Sequence, residues 1–128
     1  MTGRRAAANV TAMRCKILMT TAPDESVANA LAEAALEDRL AACVQMTPGV
    51  TSRYWWRGVL ESATEWVLTF KTAEDRLEAL QERLLEAHPY ETPECVIVPV
   101  EGGAPAYLDW VRAETRPEGN PPPSSVPG

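Results

Sequence analysis

Residues Thr51–Trp66 read TSRYWWRGVLESATEW, and the reading of the whole chain starts from them. Aromatic and β-branched side chains favour strands, and Gly58 can supply a reversal between two of them. The stretch predicts a long hairpin, with Val44–Arg57 paired to Val59–Thr72. In extended chain Tyr54 and Trp56 share one face and Trp55 takes the other. A small domain has one core, which cannot easily bury large rings on both faces of a protruding ribbon. A partner subunit over the second face resolves this; the competing reading is that the rings cap the domain's own core.

The flanking segments give the hairpin its setting. Upstream, Cys15–Thr21 (CKILMTT) is short and apolar and predicts a strand. Pro23, Asp24 and Glu25 then open a helix that runs to about Arg39. Pro23 has no N–H to waste, Asp24 is the expected cap, and Glu25 suits the positive end of the helix dipole. Val27, Leu31 and Ala34 form its expected stripe, widened by Ala30 and Ala35. Leu40–Cys43 returns to the sheet, and Pro48-Gly49 signals a turn or bulge.

Downstream, Trp66, Leu68 and Phe70 share one strand face; Val67, Thr69 and Lys71 share the other. A second helix is expected from Ala73, with Thr72 and Asp75 at capping-box spacing and Leu77, Leu80 and Leu84 as its stripe. Pro89 ends it near Ala87 or His88. Glu94–Val100 is apolar on both faces and reads as a central or well-covered strand, with Pro99 marking its edge. Ala104–Thr115 predicts a last helix carrying Tyr107, Leu108 and Val111. The order β-α-β-β-α-β-α is an α+β plan: a ferredoxin-like split βαβ unit with a long hairpin and an extra C-terminal helix. Residues 14–115 form the domain. Residues 1–13 are expected to be a loose tail. Residues 116–128, with five prolines and two serines, are expected to be disordered.

The chain has 128 residues, enough for one domain, and a net charge of −6. The acidic balance argues against a phosphate-backbone binder, although Trp55-Trp56 could stack bases. No run approaches the roughly 20 apolar residues of a membrane span. Asn9, Thr11, Arg14 and Lys16 break any apolar signal core, so no secretory leader is expected. Cys15, Cys43 and Cys95 form no CxxC pair and no disulfide framework. The cytoplasm is the expected compartment.

His88 is the single histidine, so a multi-histidine zinc site within one chain is excluded. A copper or zinc site could combine Cys43, or another cysteine, with His88 and Glu91. The bland alternatives are a helix-ending histidine bonded to a carbonyl and a cysteine that packs as a small hydrophobe. Glu61, Glu65, Glu91 and Glu94 lie near turns or strand ends, where paired acids could hold a hard cation or simply be solvated. Lys71 could bind an anion or snorkel over apolar surface. No phosphate-cradling glycine loop, HExxH or nucleophile elbow occurs, so neither an organic cofactor nor a catalytic reaction is expected.

Taken together, Thr21-Ala22-Pro23-Asp24-Glu25, Arg39–Val44, Pro48–Gly58 and His88–Glu94 resemble the CutA family of divalent-cation tolerance proteins. The resemblance spans about Lys16–Thr115. It implies a ferredoxin-like subunit in a homotrimer whose hairpins continue neighbouring sheets. It implies a non-enzymatic role in tolerance of copper and other divalent cations, with Cu(II) as a candidate ligand. By position it carries over Cys43, His88, Tyr90 and Glu91 to an inter-subunit cleft. Some relatives have a further cysteine where this chain has Thr20, a poor soft-metal ligand. The arrangement is also similar to PII signalling proteins, so a small-molecule sensor, or an adaptor trimer with a protein partner, is the competing function.

Overall fold

The structure is a computed structural model that describes residues 13–117; most of the tails expected at 1–13 and 116–128 lies outside the described residues. Four strands form one antiparallel sheet: β1 (Cys15–Ala22), β2 (Cys43–Trp56), β3 (Val59–Ala73) and β4 (Val96–Pro99), in the order β2-β3-β1-β4. Helices α1 (Glu25–Glu37), α2 (Leu77–Ala87) and α3 (Pro105–Glu114) complete the expected ferredoxin-like order.

Register shows which side chains share a layer. Leu18 lies opposite Phe70, Thr20 opposite Leu68, Val44 opposite Phe70 and Met46 opposite Leu68. Leu18, Leu68 and Phe70, with Val44 and Met46 beside them, pack with Ala28, Leu31 and Ala35 of α1 and Leu80 and Leu84 of α2 into the core; Thr20 is buried in the same layer. The buried stripe of α1 is Ala28, Leu31, Ala32 and Ala35. It is rotated from the expected one, leaving Ala30 exposed. The alanines let the helix sit close to the sheet.

Each end of α1 is held by specific donors. Asp24 caps it as expected, its Oδ1 accepting from the Val27 N–H at 2.9 Å. At the far end Leu40 N–H donates to Ala35 O and Arg39 N–H to Leu36 O. This is a Schellman turn with Arg39, φ 56°, at the left-handed position usually given to glycine. The Arg39 guanidinium meets Glu114 at 2.9 Å and so links the turn to α3. Arg76 donates to the carbonyls of Asp38 and Arg39, and Arg83 to that of Ala34. These cations satisfy the open carbonyl end of the helix.

Other expectations are corrected as well. Thr72 does not cap the second helix. Its hydroxyl, fully buried, donates to the Leu40 carbonyl at 2.6 Å and clips β3 to the α1–β2 connection. A 3₁₀ turn at Glu74–Arg76 precedes α2, and Asp75 receives Arg116 instead. β4 is the sheet edge and is exposed along its length; its two-faced apolar run is left uncovered by the other described residues. Cys15 is buried, with its Sγ 3.8 Å from the Leu108 carbonyl. Finally, Arg116 and Met13, assigned to the tails, are tied to the domain: Arg116 to Asp75, and Met13 through its carbonyl to Arg112.

The hairpin forms as expected, with a bulge between Thr47 and Val50 where Gly49 takes φ 70°. One extra residue on β2 swaps the faces of everything beyond it. Val50, Ser52, Tyr54 and Trp56 therefore align with Glu65, Ala63, Glu61 and Val59, on the face away from α1 and α2. Arg57 (φ 51°) and Gly58 (φ 81°) make the two-residue reversal, both left-handed.

α3 covers only one end of that second face. Tyr107 lies there against Cys43 Sγ (3.4 Å) and under Lys71 Nζ, 5.8 Å from the ring centroid. Lys71 donates to Gln45 at 2.7 Å rather than standing free as an anion site. Burial, and then the Cys43 contact, push the Tyr107 phenol up to about 12.

Two outcomes follow from these contacts. Thr72→Val should lower stability by about 1–3 kcal/mol in urea melts, because the Leu40 carbonyl loses its donor, while Thr72→Ser should lose far less. A raised phenol pKa means the folded state keeps its proton when the unfolded chain has lost it. The contribution of Tyr107 should therefore be complete below about pH 10 and decline toward pH 12. Tyr107→Phe should flatten that part of the curve of melting temperature against pH.

Candidate functional site

The segment between α2 and β4 crosses the end of β1 and braces the hairpin. Pro89 stops α2, leaving His88 as its C-cap in extended geometry. The His88 Nε2 lies 2.7 Å from the Thr21 carbonyl, and Nδ1 accepts the Tyr90 N–H at 3.2 Å. Together these bonds require the neutral ring with its proton on Nε2. The Tyr90 ring stacks at 4.8 Å on the imidazole, tilted by 50°. The sequence alternative of a helix-ending histidine bonded to a carbonyl matches this geometry, with the carbonyl supplied by β1.

Tyr90 then reaches β3, its hydroxyl donating to Glu65 Oε2 at 2.7 Å. Burial first, and the Glu65 carboxylate second, drive the Tyr90 phenol far up in pKa, so it stays a donor at any ordinary pH. Glu65 is 7% exposed. In sequence it stands beside Glu61, Glu91 and Glu94 with nothing to separate it. Its register position on the second face, combined with the crossing loop, is what buries it. Glu91 follows and meets Arg57 at 3.0 Å in an exposed ion pair. Arg57 also lies 5.2 Å above the Trp56 ring.

These residues enclose a cleft of about 750 Å³ lined by Thr21, Tyr54, Trp55, Trp56, Glu65 and Tyr90, with Glu91 also in its wall. A smaller hollow of about 420 Å³ between α1 and α2 contains Arg76 and Arg83. Both are committed to the α1 carbonyls, so it belongs to helix capping.

The proposed metal ligands do not converge within one subunit. Cys43 lies in register with Lys71 and, through it, with Ile17. Thr21, which holds His88, is four residues further along β1, roughly 13 Å at strand spacing. Both ring nitrogens of His88 are engaged, and Glu91 is paired with Arg57. Among the described residues no group of three or more His, Cys, Asp or Glu is placed to hold a metal ion. Thr20 is buried and opposite Leu68, in the helix-side layer, away from Cys43. Sequence reasoning took Tyr107 only as an anchor of the last helix, and it is the partner of Cys43; no local signal places α3 over that thiol.

The family model described as CutA1 divalent ion tolerance protein matches residues 16–114. A divalent-cation tolerance protein CutA from Pectobacterium atrosepticum is 43% identical over 100 residues, covering 78% of this chain and 91% of that protein. Among solved structures, CutA1 from Oryza sativa superposes with a TM-score of 0.79 at 36% identity, covering 83% of this chain and 97% of that one. A protein from Archaeoglobus fulgidus, described as a periplasmic divalent cation tolerance protein CutA, gives a TM-score of 0.77 at 32% identity, covering 80% and 99%. With its fold, its hairpin and nearly all of its described residues matched, the chain belongs to the CutA family of divalent-cation tolerance proteins.

Proposed function

We propose that this protein serves divalent-cation tolerance as a non-enzymatic homotrimer, and that Cu(II) or another divalent cation is held between copies rather than within one. The observation that carries this is the uncovered apolar surface. Trp55 is 73% exposed and Leu60 52%, and β4 leaves Val96, Ile97 and Val98 open at the sheet edge. A stable soluble monomer rarely leaves such rings and such an edge to water. The separation of Cys43 from His88 and Glu91 supports the second half: a site using all three needs a second chain. Copper is the expected tightest guest at any mixed nitrogen, oxygen and sulfur site.

We also place the protein in the cytoplasm. The support is three free thiols, Cys15, Cys43 and Cys95, and no helix among the described residues long and apolar enough to cross a membrane. The A. fulgidus relative is described as periplasmic, so fractionation of the native host is the direct check.

Light scattering at micromolar concentration should give three times the chain mass. A folded monomer would overturn the assembly. Calorimetric titration with Cu(II) should show weaker binding in Cys43→Ala and His88→Ala than in the unsubstituted protein. Equal affinity in all three would remove these residues from the site. A nucleotide that raised the melting temperature while copper did not would move the function to a PII-like sensor.

A further inference from the structure

α3 is joined to the domain differently from the other two helices. The core lies between the sheet and α1 and α2, and among the described residues α3 adds nothing to it. α3 sits on the opposite face of the sheet, where Val111 is the residue it buries and Tyr107, Leu108 and Trp110 are half-buried. Two thiols lie against it. Cys15 is 4% exposed with its Sγ 3.8 Å from the Leu108 carbonyl, and the Cys43 Sγ is 3.4 Å from the Tyr107 hydroxyl. A helix packed outside the core can leave its place without opening that core.

The two ends of α3 are held in different ways. Upstream, residues 101–104 are exposed and without helix or strand, and Gly102 and Gly103 are two of them. Such a link absorbs a change in φ and ψ at little cost. Downstream, the ties are charged. Glu114 meets Arg39 of the α1–β2 connection at 2.9 Å. Arg116, just past the helix, holds both carboxylate oxygens of Asp75, in the turn before α2, at 2.8 and 2.9 Å. Both pairs reach solvent, with the Arg39 and Asp75 side chains 37% and 42% exposed. Each therefore contributes modestly and weakens in salt.

We propose that α3 is a hinged strap. It swings about Gly102-Gly103 when its charged latch, Glu114–Arg39 and Arg116–Asp75, lets go, and it then bares Cys15 and Cys43 while the core stays folded. The latch sets how often the strap opens, and so how often a small electrophile reaches the buried thiol. Cys95 packs against the core instead and is outside this control. The strap operates whether or not Cys43 ligates a cation.

The test is alkylation of the native full chain by iodoacetamide in EDTA, read at Cys15 by mass spectrometry, beside backbone hydrogen exchange. Cys15 alkylation and exchange of the Pro105–Glu114 amides should report one shared opening. That opening should be at least about ten-fold more populated than the one that exchanges the Leu68 and Phe70 amides of β3. Glu114→Gln and Asp75→Asn should each speed Cys15 alkylation about three-fold, and together about ten-fold, with Leu68 and Phe70 exchange unchanged. Raising sodium chloride from about 0.05 M to about 1 M should speed it in the unsubstituted protein and far less in the double variant. Cys15 alkylation that tracks Leu68 and Phe70 exchange in every variant would make α3 part of the global unit and overturn the strap. So would a rate left unchanged by both substitutions. Should the variants fail to fold, the salt series on the unsubstituted protein decides, and a Cys15 rate flat with salt overturns the latch.

Discussion

In a two-layer domain the helix layer covers one face of the sheet and leaves the other to be covered by something else. Here α1 and α2 are that layer, and α3 covers only one end of the other face. The strands also differ in length. β1 stops at Ala22, opposite Trp66, so Val59–Glu65 pairs with β2 alone. An isolated two-stranded ribbon is at best marginal in water. Among the described residues, side-chain hydrogen bonds and ion pairs from the rest of the chain reach this ribbon at two points, Tyr90 on Glu65 and Glu91 on Arg57. The loop that forms the cleft is therefore also the strut that steadies the ribbon within one subunit.

That double use explains why the loop is short and rigid. His88 follows the last helical residue, its ring locked between the Thr21 carbonyl and the Tyr90 N–H, and Pro89 and Pro93 restrict the backbone on either side of Tyr90. A flexible linker would leave the Tyr90 hydroxyl free to wander, and Glu65 would then be buried with no donor. The sequence HPYETP thus joins a helix stop, a ring clamp and a phenol reach in a few residues. Each depends on the one before.

The hairpin, its bulge, the faces of β3, the Asp24 cap and the stop at Pro89 were all legible, because each rests on local periodicity, a capping side chain or a residue with restricted φ. Pro48-Gly49 and Gly58 announce themselves. What failed did so where a side chain answered to a distant partner. Thr72 sits at capping spacing, but Leu40, 32 residues away in sequence, offers its hydroxyl a buried carbonyl instead. Arg39 occupies a position where glycine is usual, and its strain is offset by Glu114 on α3, which no local pattern reveals. β4 was read as central or well covered from composition alone; the apolar residues are there, but the other described residues leave them exposed. The acid that matters, Glu65, is distinguished from its neighbours only by burial, and burial is a property of the fold.

The geometry at His88 also sets the terms on which a metal could engage this loop. Both ring nitrogens are satisfied by protein, so the imidazole is not a waiting ligand. A cation that took Nδ1 would displace the Tyr90 N–H, and one that took Nε2 would displace the Thr21 carbonyl. Each exchange gives up a hydrogen bond worth about 0.5–1.5 kcal/mol net, and also loosens the hold on Tyr90. Because Tyr90 in turn holds Glu65, cation capture at His88 and the shape of the aromatic cleft are mechanically joined. The same ring cannot both grip the loop in its present form and coordinate a metal, so any metal that binds there must do so with a rearranged loop.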